Sequence, residues 1–182
     1  MVELRTERLV LREWREGDFG AVHAYATDPQ TVRFMAFGPN TEEQTREFLV
    51  RQIERQGQDP RTDYGLAMTL REGGRLIGGC GIYLRERQGA SMGYMLRRDC
   101  WNRGYATEAA RALLGLGFEQ LGLHRIIAKC DTGNGASARV MEKIGMRREG
   151  HFRQSDLVRG EWRDEYLYAM LESEWREKHD GQ

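Results

Sequence analysis

Trp101-Asn102-Arg103-Gly104-Tyr105-Ala106-Thr107-Glu108, joined some thirty residues on by Asn134-Gly135-Ala136-Ser137, decides how this chain folds. The first stretch leaves an apolar run, Met92-Gly93-Tyr94-Met95-Leu96, and opens a helical pattern carrying Ala109, Ala110, Leu113, Leu114 and Phe118. A strand that empties through a glycine turn into a helix start presents backbone N–H groups with no partner in the helix. Those donors and the positive end of the helix dipole favour a bound phosphate. The second stretch follows another buried-looking run, Arg125 to Cys130, and supplies an amide and a hydroxyl. Two strands with such ends predict a phosphate-bearing cofactor held between them. The turn by itself is equally compatible with a plain strand–turn–helix connection.

Working outward, periodicity lays down the remaining elements. Leu9-Val10-Leu11 predicts a short first strand. Asp18 is placed to cap a helix with Phe19, Val22, Tyr25 and Ala26 on one side, ended by Pro29. Thr41-Glu42-Glu43-Gln44 spells a capping box before a helix bearing Phe48, Leu49 and Ile53. Gln56 to Thr62 reads as a surface loop. Tyr64–Leu70, Arg75–Leu84 and Ala90–Leu96 form a meander. Gly78-Gly79-Cys80-Gly81 lies inside that strand pattern with no helix after it, which predicts a close-packed or bulged strand, not a phosphate loop. Gly122 stops the helix after the glycine turn, and Ala136 to Ile144 forms a further helix closed by Gly145. Arg148–Val158 and Trp162–Leu171 predict a final antiparallel pair turning at Arg159-Gly160, and residues 172–182 a charged helical tail.

These elements predict one α+β domain over residues 1–182, with no repeat, linker or low-complexity tract. A chain of 182 residues can bury a sizeable core unaided. Its 28 basic and 28 acidic side chains cancel, which argues against nucleic-acid or membrane partners. Three cysteines, Cys80, Cys100 and Cys130, are odd in number and lack metal-ligand spacing; free thiols in a reducing compartment are expected. His23, His124, His151 and His179 match no metal pattern either. With no signal stretch or long apolar span, the expectation is a soluble cytoplasmic protein without a metal.

The ordered set Trp-x-x-Gly-Tyr-Ala-Thr-Glu-Ala, Leu-Gly-Leu-His-Arg-Ile and Asn-x-x-Ser-x-x-Val-x-Glu-Lys-x-Gly resembles the GNAT superfamily of acetyl-CoA-dependent N-acetyltransferases. Within it the chain is most similar to the ribosomal-protein-alanine acetyltransferase (Rim-type) branch. The likeness extends to Thr6-Glu7-Arg8-Leu9-Val10-Leu11-Arg12 at the front and Arg163-Asp164-Glu165-Tyr166-Leu167-Tyr168 near the back.

The resemblance implies a mixed, mostly antiparallel seven-stranded sheet flanked by about four helices and splayed between its fourth and fifth strands. Acetyl-CoA would lie in the opening. Its pantetheine arm would pair with backbone at Met95 and Leu96. Its pyrophosphate would sit on the amides of Asn102, Arg103, Gly104, Tyr105 and Ala106, with Thr107 in the same first turn. Gly104 suits close backbone approach. Glu108 is awkward beside a pyrophosphate and is assigned to capping. The family often places a tyrosine, as proton donor to the departing thiolate, where this chain has Met141. Ser137, one turn earlier on the same helix face, takes that role by implication, as proton donor or hydrogen-bond partner, and Asn134 binds the arm. A backbone N–H near Met95 would polarise the thioester carbonyl.

The base is the least determined group: Glu86, Asp63 and Asp156 are candidates, and deprotonation through water serves equally. His151 could face the cleft or solvent. Trp101 is expected to pack beneath the cofactor turn and Trp14 to face the acceptor. The acceptor groove is expected between the first two helices, the Gln56–Thr62 loop and the Arg159–Gly160 turn. A protein N-terminal α-amine, an aminoglycoside, a polyamine and an amino acid derivative all fit as acceptors, as do a monomer and a homodimer. A non-catalytic acetyl-CoA-binding module is the rival reading. A dinucleotide oxidoreductase is excluded by the absence of Gly-x-Gly-x-x-Gly at a helix start.

Overall fold

A computed structural model describes residues 1–179. The eight strands are β1 (Glu3–Arg5), β2 (Leu9–Arg12), β3 (Asp63–Leu70), β4 (Leu76–Arg85), β5 (Gly89–Leu96), β6 (Arg125–Asp131), β7 (Arg147–Val158) and β8 (Glu161–Leu171). Five helices accompany them: α1 (Phe19–Ala26), α2 (Glu42–Gln56), α3 (Tyr105–Gly115), α4 (Gly135–Lys143) and α5 (Glu172–His179). The single sheet runs β1-β2-β3-β4-β5-β6-β8-β7, antiparallel throughout except for β5–β6.

The expected α+β sheet is therefore present with one more strand than predicted. β1 escapes the sequence reading because Glu-Leu-Arg at a sheet edge buries little and its three residues are too few for alternation to register. The expected tail forms α5 as far as His179, and residues 180–182 lie outside the described residues.

Strand alternation sorts the side chains onto two faces. Leu66, Met68, Ile82, Met92, Ile126 and Met170 meet Ala109, Leu113, Leu114 and Met141 of α3 and α4, with Trp175 of α5. Ala67 and Leu76 point the other way, onto Val22 and Tyr25 of α1 and Leu49 of α2. Each fully buried leucine of α3 stabilises this arrangement by about 1.5–3 kcal/mol. After α3 the chain widens into a π-helical turn, Leu116–Gln120, and stops at Gly122 (φ +63°).

Local signals were read unequally well. The Thr41–Gln44 capping box forms: Gln44 N donates to Thr41 Oγ1 (3.2 Å) and Thr41 N to Gln44 Oε1 (2.8 Å). Asp18 does not cap α1. Its carboxylate is taken by both terminal nitrogens of Arg12 (2.8 and 2.7 Å) and by the Arg15 amide (2.9 Å). The Gly78–Gly81 cluster is the expected close-packed strand. A Cβ on Gly79 would stand 2.8 Å from the Trp14 ring, and the β3–β4 register shifts between Met68 and Thr69.

Candidate active site

The opening is built by the one parallel pairing. β5 and β6 hold register only at Gly89–Arg125, Ala90–Ile126 and Ser91–Ile127, after which the ladder ends and the strands part. Met92–Leu96 thus faces residues 128–131 across a gap. The Arg97 amide bonds back to Ile77 O of β4 (2.8 Å), which sets the phase of β5. Backbone groups alternate sides along an antiparallel strand, so Gly93 and Met95 address β4 while Tyr94 and Leu96 address the gap. The Met95 carbonyl accordingly crowds the Cβ position of Gly78. The backbone donors that face the opening are those of Tyr94 and Leu96, where the sequence suggested Met95. The Leu96 carbonyl already accepts from the Trp101 indole (2.8 Å), leaving its amide free to address the gap.

Beyond Leu96 the chain makes a short 3-10 turn, Arg98–Cys100, and then reverses at two left-handed residues, Asn102 (φ +58°) and Gly104 (φ +81°). Left-handed residues flanking Arg103 aim successive amides to one side, the geometry that makes a concave anion site. Gly104 is the N-cap of α3 and supplies no side-chain oxygen, so the first-turn amides of Tyr105, Ala106 and Thr107 lack a side-chain cap. A Cβ at Gly104 would meet Arg8 Nη2 at 3.3 Å. Glycine is needed here for its φ.

Long-range side chains hold this turn in shape. Glu108 accepts from Thr6 Oγ1 (2.6 Å), the Arg8 amide (2.7 Å) and Arg8 Nε (2.7 Å), so it does not cap its own helix. Burial alone would raise its pKa, but the bonds from Thr6 and Arg8 outweigh that and hold it below the usual range. The same guanidinium donates to Arg103 O (2.9 Å) and lies 4.7 Å from the Tyr105 ring centroid. The carboxylate that seemed awkward near a pyrophosphate is thereby neutralised. On the other flank Arg75 bonds Asp99, with Arg97 assisting at 3.1 Å, and holds its carboxyl at about 2.

Asn134 Oδ1 accepts from Ser137 N (3.1 Å) and caps α4. Ser137 Oγ stands 3.0 Å from the Tyr94 hydroxyl, which also reaches Ser137 O (3.1 Å). Ser137 is thereby joined to β5 through the Tyr94 side chain. Tyr94 was missed. Its signal was an aromatic hydroxyl on the α3–α4 side of β5, in step with Met92 and Leu96. Burial pushes its phenol up to about 12, against the pull of the Ser137 bond. Met141 is fully buried in the core.

Other expected residues lie elsewhere. Glu86 sits in the turn before Gly89, at the closed end of the β5–β6 pair, roughly 24 Å of strand from Leu96. Asp63 pairs with Arg55 (2.6 Å) at the level of Tyr83 and Ser91. Asp156 lies on β7 opposite Arg163, two strands over from β6 at the open end of the sheet. The Gln56–Thr62 loop adjoins Leu84, again at the closed end. Arg159 fastens the β7–β8 turn, at the open end of the sheet, to Val32 O (2.8 Å) and Phe37 O (3.1 Å) in the α1–α2 connection. Trp14 is buried edge-on against Phe48 (5.4 Å). His151 is half exposed and paired with Asp164 (2.9 Å). Asp131, the carboxylate of β6, accepts from the Gly133 amide (2.6 Å) and has Arg163 at 3.9 Å.

Cys80, Cys100 and Cys130 are free and buried, and burial raises all three thiols, so none is a poised thiolate. Among the described residues no group of side chains could hold a metal ion, and no helix is long and apolar enough to cross a membrane.

A sheet parted between one parallel pair, with an uncapped anion-facing turn at the end of one strand and a serine-bearing helix at the end of the other, defines a CoA-dependent acetyltransferase fold. The chain belongs to the GNAT acetyltransferase family, whose domain model matches residues 8–147. It is 38% identical over 175 residues to the Bacillus subtilis (strain 168) protein named "Uncharacterized N-acetyltransferase YnaD", covering 96% of this chain and 99% of that one. The crystal structure of a GNAT-family acetyltransferase from Bacillus anthracis superposes with a TM-score of 0.84 at 36% identity, covering 94% and 99% of the two chains. A more distant relative, the [ribosomal protein uS5]-alanine N-acetyltransferase of Escherichia coli (strain K12), is 24% identical over 96% of this chain and 93% of its own. The protein is an N-acetyltransferase that moves acetyl to amines.

Proposed function

We propose that this enzyme binds acetyl-CoA in the β5–β6 gap and passes the acetyl group directly to an α-amine at a protein N-terminus. The observation that carries the cofactor reading is the uncapped turn at Asn102–Thr107, set at the mouth of the gap. Its amides receive the pyrophosphate, and Arg103 adds charge. The pantetheine arm lies along β5, pairing with the gap-facing groups of Tyr94 and Leu96, and the Asn134 amide contacts it. One of those strand amides polarises the thioester carbonyl, an interaction typically worth about 2.7–4 kcal/mol in acyl transfer. Ser137 hydrogen-bonds the departing sulfur. Two of the expected bases, Glu86 and Asp63, lie at the closed end of the β5–β6 pair, and the amine is read as shedding its proton to water.

That last point bears on the acceptor. An α-amine titrates near 7.7–8.0, so roughly a third is neutral at pH 7.5, whereas an ordinary alkyl amine near 10.4 is about 0.1% neutral. Deprotonation through water therefore suits an α-amine, in keeping with the acceptor named for the uS5-alanine relative. The test is release of free CoA with a panel of acceptors: a peptide beginning with alanine, spermidine, an aminoglycoside and an amino acid amide. The peptide is expected to give the highest kcat/KM. Ser137→Ala should cut kcat tenfold or more while the acetyl-CoA Kd stays within twofold. Acetyl-CoA binding without turnover on any amine would support the non-catalytic module instead.

A further inference from the structure

We propose that Tyr94 is a positioning residue for the leaving group, its phenol setting the direction of the Ser137 hydroxyl so that the serine proton points at the CoA sulfur. This rests on the acetyl-CoA reading above and adds a residue to it.

The argument is one of donors and acceptors. A phenol carries one proton, and the Tyr94 hydroxyl has two acceptors on the same residue, Ser137 O at 3.1 Å and Ser137 Oγ at 3.0 Å. When the phenol donates to the carbonyl, its oxygen is open to receive the serine proton, and the serine hydroxyl points at tyrosine. When the phenol donates to Oγ, the serine proton must turn elsewhere. The Ser137 amide is already committed to Asn134 Oδ1, so the hydroxyl is the only part of the residue left to rotate. The second arrangement is the one that serves the reaction: the Tyr94 phenol gives its proton to Oγ, and the serine proton turns toward the sulfur.

Its place in the strand connects this choice to the reaction. Tyr94 sits on the parted section of β5, past the last pairing with β6 at Ser91–Ile127, and its own peptide group faces the gap. A pantetheine arm that pairs with that peptide group brings its sulfur end to the same residue whose side chain holds Ser137. Burial keeps the phenol protonated through the neutral range, so it is a donor at every working pH.

In the step itself the amine nitrogen attacks the thioester carbon, the C–N bond forms, and the C–S bond breaks with its electron pair left on sulfur. The charge on sulfur is met by Ser137 Oγ–H, which is polarised in turn by Tyr94 O–H. Neither hydroxyl gives up its proton. The proton shed by the amine goes to solvent, and the thiolate is neutralised from solvent.

Tyr94→Phe keeps the ring and removes only the hydroxyl. It should lower kcat about tenfold, the loss expected for one bond to a developing charge, with KM for acetyl-CoA and the unfolding temperature little changed. In a Ser137→Ala background the same change should cost nothing further. A readout free of any acceptor is the titration of bound CoA, followed by thiolate absorbance near 240 nm against a dethio-CoA blank. Tyr94→Phe should raise the bound thiol pKa by about one unit, the same factor of ten. A titration unmoved by Tyr94→Phe, or a full tenfold loss persisting without Ser137, overturns the proposal. Failure of the wild-type protein to bind CoA would instead overturn the cofactor reading, and the two results cannot be confused.

Discussion

Replacing Gly104 separates backbone conformation from side-chain bulk at the anion-facing turn. Gly104 sits at φ +81°, where an L-residue with a Cβ is disfavoured by about 1–2 kcal/mol. Alanine would also place its Cβ 3.3 Å from Arg8 Nη2, and that guanidinium cannot move freely because it holds both Glu108 and Arg103 O. Gly104→Ala should therefore lower stability by about 1–2 kcal/mol, or about 2–8 °C in unfolding temperature for a domain of this size. If the turn relieves the strain by leaving the left-handed region, the amides of Tyr105 and Ala106 swing off the pyrophosphate. A loss of about 1.4 kcal/mol there corresponds to about tenfold weaker acetyl-CoA binding. Gly104→Asn carries the same Cβ but tolerates a positive φ, so it should keep most of both quantities. Calorimetric titration with acetyl-CoA and a thermal melt on each variant supply the data. Equal loss of affinity in the alanine and asparagine variants would refute the conformational argument, because it would make bulk the cause. Wild-type affinity in the alanine variant would remove the turn from the cofactor site.

Two further outcomes follow from the groups around the turn and the core. Glu108→Gln should weaken acetyl-CoA binding severalfold and lower stability by about 1 kcal/mol at neutral pH, since its partner Arg8 is partly exposed. The Glu108 pKa is depressed in the folded chain, so its stabilisation is complete above the ordinary glutamate value of about 4.3 and disappears as pH falls through the lower folded value. Urea melts of the two proteins between pH 7 and 3 should therefore converge at the acid end; a constant gap would show that charge is not what Glu108 contributes. Met141→Ala should cost about 2–5 kcal/mol for the cavity it opens, because Met141 is fully buried, with acetyl-CoA affinity changed less than threefold. A small stability loss accompanied by a large affinity loss would relocate Met141 from the core to the cofactor path.

What the sequence discloses depends on how far apart the interacting groups are. Thr41 and Gln44 lie three residues apart and satisfy each other within one turn, so the capping box could be read directly. Asp18 carries the same kind of signal, yet a guanidinium six residues back outbids the helix for it. Glu108 looks like a first-turn cap because its real partners, Thr6 and Arg8, are about a hundred positions away. Glu86 was proposed because it lies near β5 in sequence; which end of a strand opens is decided by its pairing with β6, and no local pattern carries that. Tyr94 was overlooked for a related reason. A tyrosine in an apolar run reads as packing until the helix bearing Ser137 is seen to lie against it. The Trp101–Thr107 turn was legible because its chemistry is almost all backbone, dictated by Gly104 and the helix that follows.

The grip of Arg8 on Glu108 and Arg103 makes the front of the chain part of a turn that begins at residue 101. A protein shortened by its first eight residues would still contain every backbone amide assigned to the pyrophosphate, yet the brace that shapes them would be gone. During synthesis the order is the same: the β1–β2 hairpin is made about a hundred residues before the carboxylate it is built to hold. Trimming or masking that hairpin is therefore a remote way to disarm the enzyme.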